Sequence, residues 1–364
     1  MVFKRLIKRI RRKREQRAAY LKNSKSTAAI HYLVSGANWS VKHDGECLMA
    51  LLPNVSGEIT HSEKGLQSGL LHFGGIADAI FEGEIRWPEK PLICGLTWFH
   101  ILENDKRLKL VKNIDNRLSF WHSSCRSTID KLIKHGANPQ KCHVIPLGVD
   151  TQVFKPAHQE QKLALRKELN IPPDARVIGS FQKDGIGWKD GQKPKLEKGP
   201  DLFCETLERL ATEQPVFALL TGPARGYVIS RLKKANIPYL HLGYLDHAND
   251  VAKYFQALDL YLISSRIEGG PKSALEAPAS GIPLVTTPVG MVSDILAHEE
   301  SAMIARQFDA NELANLCSRV LTDTALQQQL IENARKVAEQ HTWEIISQRY
   351  YNELYKSNLR EPHS

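Results

Sequence analysis

The sequence predicts an α/β protein made of two halves, each a mostly parallel sheet with helices on both faces. Two observations carry that expectation. Short apolar runs bounded by turn residues alternate with helical stretches, and the rhythm passes through the chain twice. At 364 residues the chain also exceeds the size at which one hydrophobic core usually keeps growing, so two domains of roughly 150 to 200 residues are expected.

In the first half the expected strands are Ile30 to Val34, Leu70 to Phe73, Leu92 to Phe99, Leu118 to His122 and Cys142 to Leu147. A stretch bearing proline and charge follows near Pro156. The second half repeats the pattern at Val177 to Phe181, Phe217 to Thr221, Tyr239 to Leu242, Leu258 to Ile263, Leu284 to Thr287 and Ala302 to Ala305. Two such series imply two Rossmann-like domains facing a cleft, with ligands at the carboxyl ends of the strands.

Composition narrows the class. With 42% hydrophobic residues and no apolar run of membrane-spanning length, the chain reads as globular. Residues 1 to 25 lack the continuous apolar stretch of a secretory signal. The net charge of +9 belongs to that end: residues 1 to 25 hold eleven Lys or Arg against Glu15, leaving 38 basic and 39 acidic residues elsewhere. Phe3, Leu6, Ile7 and Ile10 recur there at helical spacing among the cations, a pattern suited to an anionic membrane surface. A solvated arm and a nucleic-acid arm are the alternatives. No nucleic-acid motif or aromatic stacking platform accompanies the charge, so no nucleic-acid partner is expected. Cys47, Cys94, Cys125, Cys142, Cys204 and Cys317 show neither metal-ligand nor redox spacing and read as thiols of a reducing cytosol.

The most informative segment is Glu268-Gly-Gly-Pro-Lys-Ser-Ala-Leu-Glu276, two carboxylates eight positions apart around a Gly-Gly-Pro turn. An apolar strand, Leu258 to Ser265, precedes it, so Glu268, Gly269 and Gly270 fall in a strand-to-helix loop. Glycine lets backbone approach a ligand closely, and Pro271 suits the first turn of the following helix, where its missing N–H costs nothing. A helix start offers N–H groups to phosphate, and Glu276, just over one turn in, is placed to accept from two ribose hydroxyls.

From Ala257 to Leu296 the chain reads as strand, loop, helix, Gly turn, strand and Gly loop. This resembles the donor-binding half of retaining, family 4 type glycosyltransferases of GT-B fold, whose paired-glutamate element it matches. The segment Pro146-Leu-Gly-Val-Asp-Thr-Gln-Val-Phe-Lys-Pro156 resembles the same family's interdomain signature, and His341-Thr-Trp343 with the helical run after it resembles the closing helices. After the basic segment at 1–25, the resemblance implies an acceptor domain at 26–157 rejoined by a C-terminal helix at 345–364 that crosses back to it, and a nucleotide-sugar donor domain at 158–344. Pro278 departs from the family, which usually has a good helix former there. A proline at that position disfavours the last helical turn before Gly281.

The resemblance also implies a metal-independent transferase with no cofactor, a nucleotide-diphosphate sugar as donor, and a saccharide or glycolipid of the cell envelope as acceptor. It would work in the cytoplasm, peripheral to the inner face of the membrane. Glu276 would hold the ribose, and Glu268 with Gly269 and Gly270 the sugar hydroxyls. Pro271 and Lys272 would complete the donor loop. No Asp-x-Asp pair stands where a strand end could hold a metal, so cations must stabilise the departing phosphate. The family uses an Arg after Gly and a Lys before Gly. Lys198-Gly199 supplies the second; Ser180 stands where the first would be, and Lys183 is the nearest substitute, across a longer loop at 185–197. Gly222, after a strand, matches the family's loop near the base, with Arg225 within reach of phosphate or sugar. Gly290 reads as a turn residue.

In the first half His100 ends an apolar strand where the family places a histidine at the cleft. His72 ends another strand and is a candidate for the acceptor side. Gly36, in Ser35-Gly-Ala-Asn-Trp-Ser40, occupies the place of the family's diphosphate loop with one glycine only. Domain closure would bring Gly36 and His100 over the anomeric carbon. A nucleotide-sugar epimerase or hydrolase of the same fold, and a non-catalytic scaffold retaining the pocket, are the rival readings.

Overall fold

The computed structural model describes residues 17–34, 40–81, 83–245 and 248–359. Most of the basic N-terminal segment and Gly36 therefore lie outside the described residues. The chain divides into two units, one running to Ile145 and resuming at Trp343, the other spanning Pro146–Thr342.

The first unit holds strands β1 (Ile30–Leu33), β2 (Gly57–Thr60), β3 (Leu70–Phe73), a short antiparallel hairpin of β4 (Ile80–Phe81) and β5 (Glu84–Ile85), then β6 (Ile93–Thr97), β7 (Phe120–Ser123) and β8 (Cys142–Val144). Six of them form one parallel sheet in the order β2-β1-β3-β6-β7-β8. β1, β3 and β7 are buried throughout, as the strands of a parallel sheet covered on both faces must be. β2 was not expected from sequence. It is an edge strand, and only Thr60 of Gly-Glu-Ile-Thr is fully buried, so it lacks an apolar run.

Alternate strand residues feed two cores. Leu33, Leu71, Phe73, Leu96 and Trp121 face one side with Ile129 and Leu132 of the helix Arg126–Lys134. Ile30, Tyr32, Leu70 and Phe120 face the other, where Trp343, Ile346, Tyr350, Leu354 and Tyr355 cover them. The C-terminal helix thus packs on the first unit, as expected. Its burial is sealed by polar contacts: His72 Nδ1 lies 2.6 Å from the Tyr355 hydroxyl, His72 Nε2 2.8 Å from Thr97 Oγ1, and His122 Nε2 3.1 Å from the Tyr350 hydroxyl. Upstream, the Asn23 side chain ties the short helix 17–23 to the same unit by donating to the carbonyls of Ser62 and Lys64, both at 2.8 Å.

The second unit holds β9 (Arg176–Phe181), β10 (Val216–Thr221), β11 (Tyr239–His241), β12 (Leu260–Ile263), β13 (Leu284–Thr286) and β14 (Met303–Ile304). All are parallel, in the order β11-β10-β9-β12-β13-β14. Chain order reverses between β9 and β12, and a crevice at such a switch point is where open α/β sheets take ligands.

The unit boundary falls before Pro146 rather than after residue 157. The signature segment is held by the second unit: Val149 N donates to His341 O at 2.9 Å, Phe154 meets the Phe255 ring edge-on at 5.8 Å, and Arg335 donates to Phe154 O at 3.2 Å. The helix Ser273–Ala279 runs one residue past Pro278 before it ends, and the Arg335 guanidinium caps the Ala279 carbonyl.

Candidate functional site

The loops leaving β9, β10 and β12 carry most of the candidate residues. Lys198 closes a short 3-10 turn, Leu196–Lys198, ahead of the helix Pro200–Leu210. Gly199 joins the two with φ +59°, and a Cβ there would run into the carbonyl of Ser264, so only glycine lets this turn sit against the end of β12. Ser264 Oγ donates to Gly199 O at 2.9 Å, and Arg266 grips Asp201 with two bonds of 2.8 and 2.6 Å. Burial alone would raise the Asp201 carboxyl, yet its bonds with Arg266 prevail and hold it below the usual carboxylate range.

This stapling brings Lys198 Nζ within 2.6 Å of Glu268 Oε1. Ser265 Oγ donates to the same oxygen at 3.0 Å. Gln182, from the β9 loop, donates to Lys198 O at 3.2 Å and joins that loop to the pair. Sequence reasoning picked Lys198 and Glu268 but missed Ser265 and Gln182, short polar residues whose roles depend on the strand ends being adjacent.

Past Glu268, Gly269 is buried and Gly270 half-buried. Gly290, at φ +56°, presses so closely on the Gly269 carbonyl that a side chain would collide with it, and Met291 N donates to that carbonyl at 2.8 Å. The turn residue therefore shapes the motif loop directly. Pro271 and Lys272 form the tight turn that opens the helix, with Ala274 N bonded to Pro271 O and Glu276 N to Lys272 O. Glu276, midway along that helix, is half-buried. Burial pushes the buried Tyr261 phenol up to about 12, and the nearby Glu276 carboxylate adds to the rise. Tyr261 in turn accepts from Phe181 N at 2.8 Å, so Glu276 stands beside the junction of β9 and β12.

The β9 loop places Lys183 next to Gly222, where a Cβ on Gly222 would strike the Gln182 carbonyl and approach Lys183 N at 3.4 Å. Lys183 Nζ lies 3.8 Å from the centroid of the Trp188 ring. Desolvation, and then the charge of Lys195, hold that ammonium below the ordinary lysine range. Gly222 is fixed by its N–H to Gly243 O at 2.7 Å and by His241 Nε2 against its own carbonyl at 2.8 Å.

Arg225 departs from the expectation that it reaches phosphate or sugar. Its side chain is wholly enclosed, 3.1 Å from Asp184 Oδ2, and it donates to the carbonyls of Ser180, Gln182 and Thr221 at 2.7, 3.0 and 3.1 Å. Burial drives the Asp184 carboxyl above its usual range, with Arg225 opposing. The pair is a buried clamp between the β9 and β10 loops. Asp184 was invisible as its partner because nothing in Lys183-Asp184-Gly185 distinguishes a clamped carboxylate from a solvated one.

In the first unit His100 is exposed just beyond β6, and its carbonyl accepts from Trp98 Nε1 at 3.0 Å. His72 is not at a surface. It is fully buried in the tyrosine network above, and desolvation holds it well below the usual histidine range, so it does not line an acceptor side. Among the described residues no group of three or more His, Cys, Asp or Glu gathers closely enough to hold a metal, and no helix is long and apolar enough to cross a membrane.

Comparison with known proteins fits this geometry. Residues 194–337, which include Lys198, Glu268 and Glu276, match the family model Glycosyl transferases group 1. The D-inositol 3-phosphate glycosyltransferase of Jonesia denitrificans is 28% identical over 223 residues, 58% of this chain and 50% of that protein. The lipopolysaccharide core biosynthesis mannosyltransferase LpsB of Rhizobium meliloti is 28% identical over 190 residues, 50% of each chain. The chain thus matches about half the length of these curated relatives. Among solved structures, Anabaena Alr3699/HepE in complex with UDP and glucose superposes with a TM-score of 0.72 at 16% identity, covering 91% of this chain and all of that one. Sucrose-phosphate synthase from Thermosynechococcus elongatus follows at 0.68 and 18%, covering 90% and 98%. The shared fold is GT-B.

Proposed function

We propose that the protein is a retaining glycosyltransferase that moves a sugar from a nucleoside-diphosphate donor to a saccharide or glycolipid acceptor of envelope polysaccharide or lipopolysaccharide assembly. The observation that carries the reading is the Lys198–Glu268 pair at the β9/β12 switch point, with Glu276 one helical turn beyond it. The donor lies on the second unit, its ribose on Glu276 and its sugar hydroxyls on Glu268 and the Gly269-Gly270 backbone. The bonds from Lys198 and Ser265 to Glu268 both fall on Oε1; Oε2 is the oxygen assigned to the sugar.

Lys198 and Lys183 neutralise the departing diphosphate, where fixed cations in a partly dry site act far more strongly than in water. Pro271, Lys272 and Gly222 shape the donor loops, while His100 and Gly36 are the contributions proposed for the first unit. Retention follows from front-face attack, with the leaving phosphate taking the acceptor's proton. The basic segment 1–25 is proposed to hold the enzyme on the inner face of the cytoplasmic membrane, the reading its charge supports. A transfer assay with labelled nucleotide-sugars and membrane-extracted acceptors tests the activity. Label must enter the acceptor fraction, in the anomeric form of the donor; release of free sugar or an epimerised donor alone would contradict the proposal.

A further inference from the structure

The segment 146–156 carries a recognisable sequence and no role in the proposed chemistry. Two of its residues abut the far end of the helix Ser273–Ala279, which carries Glu276. Gly281 turns the chain out of that helix at φ +70°, and a Cβ there would lie 3.1 Å from Pro156 Cγ. Arg335, from the helix Thr324–Glu339, directs Nη1 at two carbonyls: Ala279 O, at the end of the Glu276 helix, and Phe154 O at 3.2 Å. Its Nε donates to Glu339 Oε1 at 2.8 Å, which holds the guanidinium for that double contact.

Phe154 approaches the same helix by a second route. Its ring meets Phe255 edge-on at 5.8 Å, and Phe255 stacks on Tyr261 at 5.2 Å with 28° between the planes. Phe181 stands edge-on to both, at 4.8 and 5.4 Å. Tyr261 is the residue whose phenol the Glu276 carboxylate helps to keep protonated. The aromatic stack therefore ends beside Glu276, and the guanidinium ends on the last carbonyl of the same helix.

That helix needs such a hold. At seven residues it is under two turns, too short to be stable on its own. Pro278, in its last turn, withdraws the N–H that Ala274 O would have accepted and disfavours helical backbone at Ala277. Glu276 is thus followed at once by the weakest part of the helix, so its aim depends on what fixes Ala279. A guanidinium suits that place, because the carbonyl end of a helix carries partial negative charge and an arginine can serve several acceptors from one fixed plane.

We propose that Arg335 is a positioning residue for the nucleotide's ribose: by tying Ala279 O to Phe154 O it sets the line of the helix Ser273–Ala279, and with it the reach of Glu276. This rests on the reading of Glu276 as the ribose carboxylate, and it gives the Phe154 segment a task inside the second unit.

Calorimetry on the full chain tests it, using whichever of UDP, GDP, ADP and CDP the wild type binds, together with the 2′,3′-dideoxy form of the same diphosphate, which lacks both ribose hydroxyls. The wild type should favour the ribose form. Arg335→Met, which keeps the aliphatic stem without donors, should weaken the ribose form by roughly five- to tenfold, part of the worth of hydrogen bonds to a charged group, and leave the dideoxy form nearly unchanged. Arg335→Lys, which keeps a cation and its donors, should recover most of the loss. In a Glu276→Ala background Arg335→Met should add nothing. A merely structural arginine would lower both affinities alike, and that result overturns the proposal, as does an unchanged ribose affinity or a further loss in the Glu276→Ala background. A thermal melt accompanies each variant; if Arg335→Met does not fold, Arg335→Gln, which keeps an amide donor but no charge, is read against the same outcomes. If Glu276→Ala loses the preference for ribose while Arg335→Met keeps it, the positioning role fails and the donor reading stands. A folded wild type that binds both forms equally, or none of the four diphosphates, overturns both.

Discussion

Lys198 Nζ and Glu268 Oε1 lie 2.6 Å apart across 70 residues of sequence, and this contact joins the turn before the Pro200 helix to the loop after β12. The pairing holds the lysine side chain against the Glu268 loop. If Lys198 stabilises the departing phosphate, Lys198→Ala should lower kcat by about 100- to 1000-fold, the usual loss when one such donor is removed. The melting temperature should fall only modestly, because Lys198 is about a quarter open to water and Glu268, though 11% exposed, keeps its Ser265 bond. Steady-state kinetics beside a thermal melt checks both halves of the statement.

Arg225 predicts the reverse pattern. Removing one partner of a buried ion pair leaves the other charge uncompensated, so Arg225→Ala should destabilise the fold by about 3 to 5 kcal/mol. Replacing both partners at once, Arg225→Met with Asp184→Leu, should recover a large part of that loss in urea unfolding. A folded, fully stable Arg225→Ala with weakened donor binding would restore the ligand role read from the sequence.

The buried histidines set an acid limb. Desolvation holds His122 down at about 3 and His72 well below its ordinary value. Because both folded values are depressed, their contribution is complete above the unfolded value of about 6.5. As pH falls from there toward the folded values the unfolded chain takes up protons that the native state refuses, and stability drains at up to about 1.4 kcal/mol per pH unit for each histidine. Chemical unfolding between pH 7 and pH 4 should show that slope, reduced in His122→Gln.

Gly199→Ala should cost stability and activity together. The φ of +59° strains any other residue, by roughly 1 to 3 kcal/mol, and the added methyl collides with the Ser264 carbonyl. Since Lys198 is the preceding residue, the turn must move and take the Lys198–Glu268 contact with it. Loss of kcat alongside a lowered melting temperature is the expected outcome; an unchanged kcat would separate the turn from the site.

Much of this was legible in the chain because parallel strands buried on both faces must be apolar runs, and Leu70 to Phe73 or Leu258 to Ile263 are just that. Gly57–Thr60 escaped because an edge strand needs no such run. The boundary signature was recognised, but its side was not, since only folding reveals that Val149 bonds to His341. Lys198, Glu268 and Glu276 could each be picked from local pattern. Pairing of the first two could not, and neither could the inward turn of Arg225, because a guanidinium after a Gly loop reads the same whether it meets solvent or a buried Asp184. Arg335 was passed over for a like reason: which carbonyls its guanidinium meets depends on Phe154 and Ala279 being folded side by side.

The most direct test of the donor site is thermal stabilisation of the protein by a panel of nucleoside diphosphates and nucleotide-sugars, wild type against Glu276→Ala. A ligand that binds only the native state raises its stability with the logarithm of concentration over Kd. The account predicts a concentration-dependent rise with one nucleotide, absent in the variant although the variant melts normally without ligand. A wild type that shifts with none of them, or an equal shift in Glu276→Ala, would contradict it.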